Sequence, residues 1–115
     1  MNECIIPLTW DQMNSMAEFV EQRLTRQGVP TILRLRTQLV LEVCFSAARS
    51  SPGADAARMR CCFTEPQTLV VQCKSSQPDF SPNWDDLWTL DNAACTYGLK
   101  LTKIEDGCQI LIGQR

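Results

Sequence analysis

The sequence predicts an α+β fold, a two-layer α/β sandwich whose mixed, mostly antiparallel sheet carries its helices on one face. Three observations carry that expectation. Apolar residues recur at three to four positions through residues 9–27 and again through 31–50, the period of amphipathic helices. The pattern then changes to short β-like runs at 59–64 and 68–75, and at 99–104 and 108–114. Each pair of runs is joined by a turn signal, Glu65-Pro66-Gln67 in the first and Glu105-Asp106-Gly107 in the second.

Taken in order, residues 3–8 (ECIIPL) read as a short strand, with Pro7 marking an edge or an end. Thr9 and Gln12 have the spacing of a capping box. The helix that follows runs to about Gln27, with Trp10, Met13, Met16 (or Ala17), Val20 and Leu24 facing inward. Gly28 and Pro30 close it. Thr31 is expected to cap a second helix running to about Ser50, with Leu35, Leu39, Val43 and Ala47 as its inner line. Ile32, Val40 and Cys44 lie beside that line, and Arg34, Arg36 and Gln38 outside it. Ser50-Ser51-Pro52-Gly53 ends this helix, and 54–58 is a connector. Between the hairpins, Gln77–Asn83 holds two prolines and no period, hence a loop. Trp84–Tyr97 fits a helix with Leu87, Trp88, Leu90 (or Asp91), Ala94 and Cys95 inward, stopped by Gly98. The element order is β-α-α-β-β-α-β-β.

A chain of 115 residues is expected to form one domain spanning 1–115. A net charge of −2 gives no electrostatic reason to expect nucleic acid. No apolar run reaches the roughly 18 residues of a membrane span, and the start, MNEC, has no basic region of an export signal. The seven cysteines sit inside apolar runs, an arrangement that suits reduced core residues of a cytoplasmic protein better than disulfides. No C-x-x-C pair occurs and the chain has no histidine. No metal is therefore expected, and Ser-His and Cys-His nucleophile pairs are excluded. Of the tryptophans, Trp10 and Trp88 are expected in the core and Trp84 is the candidate for exposure.

One stretch carries chemistry. Leu39–Ser51 (LVLEVCFSAARSS) is an apolar helix with a single carboxylate, Glu42, followed at four-residue steps by Ser46 and Ser50. That spacing puts the three on one helix face. Glu42 is then either a general base or a solvated polar residue on a helix rim. Ser46 and Ser50 have no neighbouring base to activate them.

Leu39–Ser50 resembles the N-box of the GHKL (histidine kinase-like) ATPase superfamily, above all that of the small bacterial anti-sigma factor serine kinases. There the helix carries Glu, then Asn four residues on, then often His four further. Glu42 matches, and serines stand at the other two positions. The opening strand, the long first helix, the last helix and the final hairpin follow the family's order. After the first hairpin the family has Asp-x-Gly-x-Gly, often continuing Phe-x-Pro. This chain has Ser75-Ser76-Gln77-Pro78-Asp79-Phe80-Ser81-Pro82. Phe80 and Pro82 match the tail. Ser75 replaces the adenine-reading Asp, while Gln77 and Asp79 replace the glycines. No glycine of the family's phosphate loop occurs between Asn83 and Leu90.

The resemblance implies a nucleotide-free regulatory binding protein, a pseudokinase relative of the anti-sigma factors that works without cofactor through protein contacts. The partners it implies are a sigma factor, an anti-sigma antagonist, or a second copy in a homodimer. Ser46, Ser50, Ser75, Gln77 and Asp79 would be the remnant of a nucleotide site. The physical reason is the lost ligands. A serine hydroxyl is a shorter, weaker Mg²⁺ ligand than an amide carbonyl, and glycine-free loops cannot wrap phosphate closely. The alternative is a divergent ATP- and Mg-dependent serine kinase with Glu42 as base.

Overall fold

The elements along the chain are β1 (Glu3–Pro7), α1 (Trp10–Arg26), α2 (Thr31–Arg49), β2 (Ala57–Glu65), β3 (Thr68–Ser75), α3 (Asp85–Thr96), β4 (Leu99–Ile104) and β5 (Gly107–Ile112). A single 3-10 turn at Ala54–Ala56 precedes β2. This computed structural model describes residues 2–96 and 98–113, with side chains outside 91–97. The expected inward placement of Ala94 and Cys95 lies outside the described residues. The α+β sandwich and the element order are those predicted, and the sheet order is β1-β2-β3-β5-β4 with every described pairing antiparallel.

The strands explain the layering. On β2, Met59, Cys61 and Phe63 are buried, and on β3, Leu69, Val71 and Cys73. Cys108, Ile110 and Ile112 continue the same face on β5, and Leu99 and Leu101 on β4. The alternate residues, among them Arg58, Arg60, Cys62, Gln72 and Lys74, occupy the opposite face and are half-buried or exposed. A strand of period two has one buried face, and the helices cover that face. Pro7 lies on the edge strand, as its missing N–H requires.

Helix α1 buries Met13, Met16, Val20 and Leu24. Trp10 departs from expectation: at 61% exposure it stands outside the core. As the first helical residue it reaches past the packed layer and rests on Phe45, ring centroids 4.5 Å apart. The capping box does not form, since Thr9 makes no side-chain cap bond. Its carbonyl accepts from the Gln12 and Met13 amides instead. At the other end, Gly28 (φ 73°) is left-handed. The Val29 amide donates to Leu24 O and the Gly28 amide to Thr25 O, a Schellman stop with buried Val29 packed beyond it.

Helix α2 is rotated from the orientation its sequence suggests. The buried residues are Thr37, Val40, Leu41, Cys44, Phe45 and Ala48. Leu35 and Leu39, expected on the inner line, are 62% and 46% exposed. Polar contacts with α1 explain the turn. Arg34, expected outside, pairs with Glu21 at 2.7 Å and donates to Val29 O at 2.7 Å. Gln38 Nε2 donates to Ala17 O at 2.8 Å. The N-cap is Pro30 rather than Thr31, and Thr31 Oγ1 accepts from Arg34.

Both hairpins form. In the second, the left-handed residue is Asp106 (φ 64°). Gly107 is the first residue of β5, where a Cβ would lie 1.8 Å from Val71 O. This glycine is needed for the approach of β3 to β5 and not for a turn dihedral.

Four cysteines, Cys44, Cys61, Cys73 and Cys108, are buried between α2 and the sheet. Burial pushes the Cys73 thiol from 9.0 up to about 12 and Cys61 well above its ordinary value. A hydrogen bond with Cys108, with burial, holds Cys44 high as well. Such thiols stay protonated and unreactive.

Two stability measurements follow. Gly107→Ala is expected to lower the unfolding free energy by at least about 2 kcal/mol, since backbone must move. Gly28→Ala, with nothing within 4 Å of the added Cβ, should cost only the left-handed penalty of about 1 kcal/mol; urea midpoints compare the two. The thiols set an alkaline limit. The unfolded Cys73 thiol ionises near 9.0 and the folded one near 12. Its contribution is therefore complete below pH 9.0 and lost as pH rises toward 12, at up to about 1.4 kcal/mol per pH unit per thiol. Urea unfolding at pH 8 and pH 10.5 should show the midpoint fall, with a smaller fall for Cys73→Ala.

Candidate functional site

The rotation of α2 decides what its outer face presents. Ile32, Leu35, Leu39, Glu42 and Ser46 are all exposed, and their three- and four-residue steps form one continuous stripe. Its first half is apolar. Among the described residues five large apolar side chains stand exposed, Ile5, Trp10, Ile32, Leu35 and Leu39, and three of them belong to this stripe. Its second half enters a cleft of about 500 Å³ lined by Leu39, Glu42, Ser46 and Ser50 on one side. Ser81, Asn83 and Asp86 line the other.

The sequence-predicted ladder thus shares one cavity, but the full set of six residues does not. Ser50, the C-cap of α2, donates its hydroxyl to Ser46 O at 2.9 Å. Gln77 and Asp79 line a second cleft of about 400 Å³, together with Arg49, Gly53 and Asp55. Ser51 lies in both walls. Its Oγ accepts from the Ser81 amide at 2.8 Å, tying the loop to the end of α2 between the clefts. Ser75 faces neither. Its hydroxyl donates to Gly53 O at 2.8 Å and accepts from the Gln77 amide at 3.1 Å, so it joins the end of β3 to the turn after α2.

The loop packs closely here. A Cβ on Gly53 would stand 2.7 Å from that of Gln77 and 3.2 Å from Asp79 Oδ1. The left-handed glycine, φ 81°, is in the turn and absent from the loop itself. Phe80 and Trp84 pack against the core and line neither cleft. Trp84, expected exposed, is therefore half-buried, and the space beside Glu42 stays open. Trp88, expected in the core, is half-buried like Trp84 and packs against the core, with Lys103 Nζ 4.9 Å from its ring centre.

The electrostatics of the first cleft are one-sided. Among the described residues Glu42 and Asp86 line it and no lysine or arginine does. Among the described residues neither carboxylate has a hydrogen bond or ion pair. Arg49, next along the helix, is engaged with Asp55 at 2.9 Å in the other cleft. No group of three or more potential metal-ligating side chains gathers among the described residues.

Sequence reasoning missed Asp86, the Ser51–Ser81 tie and the outward turn of Leu35 and Leu39. A signal for Asp86 was present. Asn83 two residues before an Asp-Asp pair is a helix-start pattern, and Asn83 Oδ1 accepts from the Asp85 amide at 3.0 Å. That start aims the first turn of α3 at the cleft. Comparison of the chain with protein-family models, with curated proteins and with solved structures found no match.

Ser51→Ala removes the acceptor of the Ser81 amide. We expect a loss of about 1 kcal/mol and faster hydrogen exchange at Ser81 than at the strand amides, read by exchange-monitored NMR.

Proposed function

We propose that this chain is a cytoplasmic, nucleotide-free regulatory binding protein related to the anti-sigma factors, acting through protein contacts. The observation that carries this reading is the outer stripe of α2: exposed Ile32, Leu35 and Leu39 leading into a cleft that, among the described residues, two carboxylates and no cation line. A triphosphate in that cleft would meet Glu42 and Asp86. Like charges about 5 Å apart repel by roughly 1 to 3 kcal/mol per pair at effective dielectrics between water and a protein surface. The residues aligned with the family's second nucleotide motif lie in the neighbouring cleft or are spent on internal hydrogen bonds.

Protein contact suits the same surface. Completing the burial of an aliphatic side chain stabilises by about 1.5–3 kcal/mol from full exposure. The three α2 residues, roughly half exposed, would each contribute about 1 kcal/mol. Association costs at least about 4 kcal/mol in lost freedom, so the stripe needs further contacts to hold a partner. A sigma factor, an anti-sigma antagonist or a second copy is the partner the family resemblance supplies.

A second reading draws on the open space beside Glu42: a serine kinase using that carboxylate as base. Phosphoryl transfer lost in Glu42→Gln would favour it. Calorimetric titration with Mg-ATP separates the two. We expect no saturable heat up to millimolar nucleotide, and micromolar binding would overturn the nucleotide-free reading.

A further inference from the structure

We infer that the outer face of α2 receives a basic amphipathic segment of a partner protein. Its apolar side chains would cover Ile32, Leu35 and Leu39, and its arginine or lysine would enter the cleft that Glu42 and Asp86 line. This rests on the protein-contact reading above and adds to it the chemistry of the partner.

The argument is charge complementarity along one continuous surface. The apolar residues and Glu42 belong to a single stripe of α2, with Glu42 two turns beyond Leu35, about 10 Å along the axis. A segment lying on the apolar half brings its next polar residues over the cleft. There it meets Glu42 from α2 and Asp86 from α3, with Ser46, Ser81 and Asn83 between them. Among the described residues no cation lines that space, and a partner's cation would meet both carboxylates there. A guanidinium suits it best, because its fork of N–H donors matches both carboxylate and hydroxyl acceptors.

Other occupants fit less well. A second copy packed two-fold and antiparallel about Leu35 sets Glu42 against residues 28–32, Gly-Val-Pro-Thr-Ile, which carry no charge. A parallel arrangement sets Glu42 against its own copy. Both leave the carboxylates uncompensated in an interface, which is costly. Nucleic acid and anionic lipid surfaces are repelled by the same two groups.

The test uses fluorescence anisotropy with a labelled amphipathic helical peptide of Leu, Ala and Lys, alongside versions with Gln or Glu in place of Lys. The expected result is that the Lys peptide binds at least tenfold more tightly than the Gln peptide, and the Glu peptide more weakly still. In Glu42→Gln combined with Asp86→Asn that preference disappears while the Gln peptide is unaffected. In Leu35→Glu the Gln peptide loses binding. Equal affinity for the Lys and Gln peptides, or a preference unchanged in the double variant, overturns the inference and leaves the protein-contact reading standing. The inference also fails if no peptide binds. A dimer in sedimentation that Leu35→Glu dissociates overturns it in favour of a second copy. Micromolar Mg-ATP binding would remove the underlying reading itself.

Discussion

The seating of α2 against α1 and the sheet governs everything else about this molecule. Eleven of its nineteen positions carry Ile, Leu, Val, Cys, Phe or Ala, so hydrophobicity alone allows several rotations about the helix axis. Arg34 on Glu21 and Gln38 on Ala17 O select one of them. Both are polar contacts across the α1–α2 groove, where an unpaired guanidinium or amide would be costly. With that groove closed, Phe45, Leu41 and Cys44 point to the core and Leu35, Leu39, Glu42 and Ser46 to solvent.

The same rotation separates fold from chemistry. The buried side of α2 meets a sheet face of aliphatic and sulfur-bearing residues. Cys44 lies over a sheet face that holds Cys61, Cys73 and Cys108. Cysteine here acts as a compact apolar side chain, and burial keeps the Cys61 and Cys73 thiols protonated. The outer side carries the uncompensated carboxylate and the exposed aliphatics, neither of which the core requires. Leaving three large aliphatics half in water forgoes stability a polar substitution would not miss, and a partner surface gives that arrangement a reason.

The loop after β3 is held by the turn that follows α2. Ser75 bonds to the turn at Gly53, while Gln77 and Asp79 pack on that same glycine. The backbone freedom that glycines would give the loop is held by Gly53 on the other side of the contact. Ser51 and Ser81 then divide the region into two clefts, and the ladder keeps only one of them.

The sequence by itself determined the layers, the element order and both hairpins, because period-two strands, Asp-Gly and the Gly28 stop are local signals. It determined as well that Glu42 and Ser46 share a helix face, which follows from the helical repeat. Tertiary structure alone decided which face of α2 is buried, since a helix apolar on most sides has no preferred rotation until a neighbour is fixed. It decided that Trp10 rests outside the core while Trp84 is half-buried against it. It also brought Asp86 opposite Glu42, a pairing of residues more than forty positions apart that no local pattern encodes. The chemistry of the cleft, two carboxylates and no cation among its described lining residues, belongs to that second group.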